Sequence, residues 1–187
     1  KIGYKIITDS INGESPIISQ DTIKALSVVT IKGHVEDFQG APINSFSGVL
    51  SPLIFDKIKM EKTLGQDPGS YETTYEVQKN IIYKGKASVV NGYFEYSFIV
   101  PKDISLAYGN GKISHYANNN SEDASGFDTT FFIGGINPNA LQDSEGPDVS
   151  VFLNEESFVS GGITNNTPTL IAKIFDNSGI NTVGSGI

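Results

Sequence analysis

The pair Asn91-Gly92, set between two runs of alternating apolar and polar residues, constrains the fold more than any other stretch of the chain. Both residues tolerate the positive φ that the central positions of a type I′ turn require. Residues 87–90 and 93–100 are therefore predicted to form a tight β-hairpin. Phe94, Tyr96, Phe98 and Val100 share one face of its second strand, and Pro101, which lacks an N–H, ends the ladder. The same period of two recurs elsewhere. Val29, Ile31, Gly33 and Val35 alternate with Thr30, Lys32, His34 and Glu36. Across the turn Asp37-Phe38-Gln39-Gly40-Ala41-Pro42, residues 45–55 read as the hairpin partner of that strand. Further strands are predicted over residues 2–8, 71–77, 112–117 and 127–133. The nearest approach to an amphipathic helix, residues 54–64, has poor caps and sits between strands. Short strands separated by turns over roughly 100 residues predict an all-β chain built on an immunoglobulin-like β-sandwich.

The strand pattern is interrupted once. Residues 134–147 are turn-rich, then polar, as linkers are. Beyond them Val149, Val151 and Leu153 restart the alternation, and residues 169–175 supply a partner. The expected organisation is a linker strand from an upstream domain (1–19), a β-sandwich (20–136), a linker (137–147) and an incomplete second immunoglobulin-like domain (148–187). Both ends read as cut from something longer.

Charge removes several function classes. The net charge is −8, and all 13 basic residues are lysines. Without arginine, and with an acidic balance, the chain is not expected to bind nucleic acid or an anionic membrane. Runs of 18 or more apolar residues, as a membrane-spanning helix requires, are absent. There is no cysteine, hence no disulfide, thiolate metal site or thiol nucleophile.

Candidate chemistry is sparse. Histidine is the commonest general base, and the chain has only His34 and His115, neither accompanied by a nucleophile motif. Both read as ordinary strand residues, so no catalytic residue is assigned. The loop from Asn118 to Asp128 is rich in oxygen ligands of the kind calcium takes, but its spacing is not that of an EF-hand. It reads as a plain surface turn, and no cofactor or metal residue is assigned. Glu155-Glu156 reads as solvated charge. The many tyrosines offer material for a sugar-stacking platform, although in strands tyrosine more often packs half-buried with a wet hydroxyl.

Several segments carry a family resemblance. Residues 21–33, Asp37-Phe38-Gln39-Gly40 ahead of Phe46-Ser47-Gly48, Phe131-Phe132-Ile133-Gly134-Gly135 and Asp176-Asn177-Ser178-Gly179-Ile180 resemble the region after the catalytic domain in PorU proteins. These are gingipain-like cysteine peptidases that act as sortases of the type IX secretion system in Bacteroidota. The resemblance covers nearly the whole chain. It implies an exported, non-catalytic module at the outer-membrane surface or periplasmic side of the envelope. That module would space, brace or dock an upstream catalytic domain of the parent chain, with a PorV-like outer-membrane barrel as a further partner. The family's catalytic Cys and His lie outside this segment, so none carries over. The competing class is a carbohydrate-binding or adhesive module, which a stripe of solvent-facing tyrosines on one sheet would favour. Three sites also resemble the Bacteroidota O-glycosylation motif, Asp followed by Ser or Thr and then a small or apolar residue. Their acceptors are Ser10 (Asp9-Ser10-Ile11), Thr22 (Asp21-Thr22-Ile23) and Thr129 (Asp128-Thr129-Thr130).

Overall fold

The computed structural model describes residues 2–16, 22–140, 145–177 and 179–180, and among these it contains strands and no α-helix. Seven strands close on themselves. β11 (Lys112–Asn118), β12 (Asp123–Asp128), β1 (Ile2–Ile11), β3 (Val28–Glu36), β9 (Tyr93–Ile99), β8 (Ala87–Val90) and β4 (Gly48–Phe55) are successive hydrogen-bonded neighbours. β4 then pairs back onto β11, from Phe55 opposite Lys112 to Val49 opposite Asn118. β7 (Ile81–Lys84) continues the edge of β4 that β8 leaves free.

This closed barrel replaces the immunoglobulin-like β-sandwich expected from the pattern. A period of two reports only that one face of each strand is buried, which sandwich and barrel share. The difference lies in two long-range pairings without a local signal: β4 with β11, and a parallel pairing of β1 with β12. Each closing seam contains a glycine. A Cβ on Gly48 would lie 2.2 Å from the carbonyl oxygen of Asn118, and one on Gly126 would lie 1.9 Å from that of Ile6. Any side chain there would hold the backbones apart, so glycine is what lets the wall close.

The inward faces fill the barrel. Val29, Ile31 and Val35 of β3, Leu50 and Ile54 of β4, and Ile113 and Ala117 of β11 are fully buried, and Phe94, Tyr96 and Phe98 of β9 nearly so. Burying a side chain of this size contributes about 1.5–3 kcal/mol. A small sheet adds to this core: β2 (Thr22–Ala25), β13 (Phe132–Ile136) and β10 (Gly109–Asn110). β2 leads into the start of β3, β10 into the start of β11, and β13 follows the end of β12. All three therefore gather at one end of the barrel, where Ile23, Phe131 and Ile133 join the same buried cluster.

Local predictions fared unevenly. The hairpin at Asn91-Gly92 forms, with φ of 52° and 82° and Val90 opposite Tyr93. The strand expected as a linker is β1, which lies in the wall between β12 and β3. Residues 45–55 do not pair with β3; that place is taken by β1 and β9. Residues 127–133 divide between β12 and β13. β5 (Lys59–Lys62) and β6 (Thr74–Val77) make a separate exposed ribbon.

The chain divides into two compact units, the break falling after Ala140. In the second, β14 (Asp148–Leu153) and β15 (Leu170–Phe175) form an antiparallel hairpin. Its register sets Val149 opposite Ile174, Val151 opposite Ala172 and Leu153 opposite Leu170, an apolar face on a two-stranded sheet. Lys173 pairs with Glu156, so that glutamate is an ion-pair partner.

Candidate functional site

His115 and Tyr96 are the polar groups that the alternation forces into the barrel. His115 stands between Ile113 and Ala117 on β11, and Tyr96 between Phe94 and Phe98 on β9. The Tyr96 hydroxyl and His115 Nε2 are 2.9 Å apart, and the imidazole also meets the Phe94 ring edge-on at 5.1 Å. Tyr83 of β7 stacks on both Tyr96 and Phe98, at 5.8 and 4.4 Å. Burial lowers the His115 pKa to about 4 and pushes the Tyr96 phenol up. Both groups are thereby held neutral at pH 7. Proton transfer from this phenol to this imidazole would create two buried charges, so the pair orders the core and does not act as acid and base. His115 Nδ1 has no hydrogen-bond partner among the described residues.

His34 is the opposite case. It faces outward on β3, with Nδ1 at 2.8 Å from Asp9 Oδ1 and Nε2 at 3.6 Å from Glu36 Oε2. Asp9 bonds Nδ1 and the Glu36 carboxylate lies beside Nε2, and among the described residues no hydroxyl is bonded to either ring nitrogen as a nucleophile would be. A third polar cluster lies at the end of β4. Asp56 Oδ1 accepts from the Lys57 backbone N–H at 2.9 Å and from Lys57 Nζ at 2.7 Å, and Nζ also donates to the Ser105 carbonyl at 2.8 Å. This buried pair is internally satisfied and was not singled out from the sequence. Among the described residues no group of three His, Cys, Asp or Glu side chains is arranged to hold a metal ion.

The stretch expected as one surface turn from Asn118 to Asp128 is instead a short turn, residues 119–122, between β11 and β12. Asn119 Oδ1 accepts from the Ser121 and Glu122 backbone N–H groups at 3.0 and 2.7 Å. Glu122 and Asp123 accept the hydroxyls of Tyr4 and Tyr116, at 2.9 and 3.1 Å. The three acceptor hydroxyls are scattered. Ser10 is half-buried in β1, and Thr22 is half-buried in β2, its motif partner Asp21 lying outside the described residues. Thr129 is exposed just after β12, where Asp128 Oδ1 caps the turn by accepting from the Thr130 N–H at 2.8 Å.

The exposed tyrosines form no stripe. Tyr93 and Tyr116 stand on β9 and β11, with β8 and β4 between them, and Tyr71 and Tyr75 belong to or adjoin the β5–β6 ribbon. The largest aromatic cluster, Tyr83, Phe94, Tyr96 and Phe98, packs on the barrel core.

No family model matches the chain, and no curated protein does. Among solved structures, the crystal structure of dimeric latent PorU from Porphyromonas gingivalis matches with a TM-score of 0.71 and 35% sequence identity, over 100% of this chain. The chain is similar to a region of PorU. It spans 18% of the length of that PorU chain. A sporulation control protein, Spo0M from Bacillus subtilis, matches over 71% of this chain and 50% of its own, at 14% identity and a TM-score of 0.40. The PorU likeness extends along both compact units described here, whereas no cysteine is present in the segment.

Proposed function

We propose that this chain is a non-catalytic β-barrel module of a PorU-type, gingipain-like cysteine peptidase of the type IX secretion system. Its role is to space, brace or dock the catalytic domain of the parent chain at the cell surface, with a PorV-like outer-membrane barrel as a second partner. The observation that carries the reading is the end-to-end likeness to a region of PorU. The absent thiol and the occupied or buried histidines support it, since neither imidazole faces a nucleophile. Packing of the largest aromatic cluster into the core supports a structural role over the carbohydrate-binding one. The apolar face of the β14–β15 hairpin supports reading residues 148–187 as part of a second domain. The coding sequence upstream of Lys1 tests the parent: a gingipain-type domain with its Cys and His is expected, and an unrelated domain overturns the reading. Pure chain should leave lysyl and arginyl peptide substrates intact, and turnover above the buffer blank contradicts a non-catalytic module.

On the same reading, Ser10, Thr22 and Thr129 are proposed O-glycosylation acceptors. Exposure ranks Thr129 first, because Ser10 and Thr22 sit half-buried within strands. Protein from a native-type host should carry glycan mass that falls by one glycan in Thr129→Ala. A bare mass from that host refutes the assignment.

A further inference from the structure

We propose that the barrel wall contains a slot for an extended acidic peptide, which adds a strand along β1 where the parallel seam with β12 opens. The two strands pair only from Ile2 opposite Asp123 to Lys5 opposite Ser125. β1 continues to Ile11 on β3, and β12 continues to Asp128 on β11. Among the described residues, Ile7 to Ser10 therefore have a ladder partner on one side only. An edge of this kind presents unpaired N–H and C=O groups to any chain that reaches it. A bulge between Thr8 and Ser10 bends this edge, and the Asp9 carboxylate there is taken up by His34. A groove of about 720 Å³ lies at this point, between Lys5, Ile7, Ser125, Phe127 and Lys112. Ligand sites occupy roughly 300–1,000 Å³.

The lining selects the occupant. On a chain of net charge −8, the charged residues of the groove are the lysines Lys5 and Lys112, and no carboxylate lines it. Each lysine lies over a ring, Phe38 at 5.5 Å and Phe55 at 5.7 Å, and neither is ion-paired among the described residues. Both line the groove, and Lys5 Nζ also donates to the Phe38 carbonyl at 3.4 Å. Phe127, 73% exposed, gives one wall an apolar surface. Strand addition takes affinity from main-chain hydrogen bonds and specificity from alternate side chains. An added strand with acidic residues on its outward face, beside the lysines, and β-branched residues on its inward face, toward Ile6, matches this lining. Nucleic acid fits poorly, since two lysines offer little counterion release.

The test uses the full chain, made in a host without the glycosylation pathway, and the probe acetyl-Val-Asp-Val-Asp-Val-Asp-amide. Amide exchange followed by NMR should slow at positions between Ile7 and Ser10, with shifts in Ser125 to Thr129. N-methylation of one alternate set of peptide amides should weaken binding by at least about tenfold, while N-methylation of the other set is tolerated, because only one set faces the edge. Replacing Asp by Lys in the probe should also abolish binding. Ser125→Trp, outward-facing and checked for folding by circular dichroism, should fill the slot and lose the peptide. Unchanged exchange at millimolar peptide overturns the proposal, as does binding indifferent to both methylation patterns. Protection that grows with protein concentration alone would assign the edge to a second copy and overturn it equally.

Discussion

Gly126→Ala is expected to cost the barrel at least about 3 kcal/mol, the upper range for overpacking, because the clash is with backbone. The new methyl carbon would sit 1.9 Å from the Ile6 carbonyl oxygen and 2.8 Å from its carbon. Neither is the free end of a side chain that could swing away. Relief requires β12 to move off β1, which opens the seam that closes the wall. Gly3→Ala in the same strand pair is the control: its Cβ would meet only the Asp123 carbonyl oxygen at 3.8 Å, an ordinary contact. That substitution should shift stability by less than about 1 kcal/mol. Urea midpoints at constant m-value measure both. Equal midpoints for Gly126→Ala and wild type would show that β1 and β12 do not meet as described.

A second large effect is expected from acid. The native barrel keeps His115 neutral down to about pH 4, against an ordinary value of 6.5 in an exposed chain, and burial is the cause. Between these values the unfolded state binds the extra proton and the native state does not. Stability therefore rises with pH across that window and is lost as pH falls from about 6.5 to about 4. A separation of this size corresponds to on the order of 3 kcal/mol. The informative quantity is the difference between wild type and His115→Leu. The variant should lose stability at pH 7.5 through the orphaned Tyr96 hydroxyl, by about 1–3 kcal/mol. It should also lack His115's share of the acid slope. Parallel stability–pH curves for the two proteins would contradict a buried neutral imidazole.

These two groups mark where sequence reasoning stopped. The strands themselves were legible, since side chains one position apart face opposite sides, and Phe94, Tyr96 and Phe98 were assigned to one face correctly. Asn91-Gly92 fixed a turn because its chemistry is local. Closure was not legible: it depends on β4 reaching β11 and β1 reaching β12, 57 or more and 120 or more residues apart in sequence. The overlooked signal was glycine inside strands, at Gly48 and Gly126, which reads as weakness locally and as close approach in the fold. His115 was placed mid-strand but not inside the barrel, because a polar imidazole between Ile113 and Ala117 interrupts the apolar run of its face. Thr129 was found by motif, and its exposure follows from the turn that Asp128 caps.

The parallel seam is the claim on which the barrel and the peptide slot both rest, and the absence of native cysteine makes it directly testable. Lys5 and Ser125 are paired across it with both side chains lining the groove. Neighbouring strands lie about 4.8 Å apart, within the roughly 4.4–6.8 Å Cα separation that a disulfide spans. Lys5→Cys/Ser125→Cys, oxidised under native conditions, should yield a cross-linked monomer, and much faster than the same protein in urea. A sandwich with β1 outside the wall predicts no such acceleration. Folded protein that stays reduced while the unfolded chain cross-links would contradict the closed barrel.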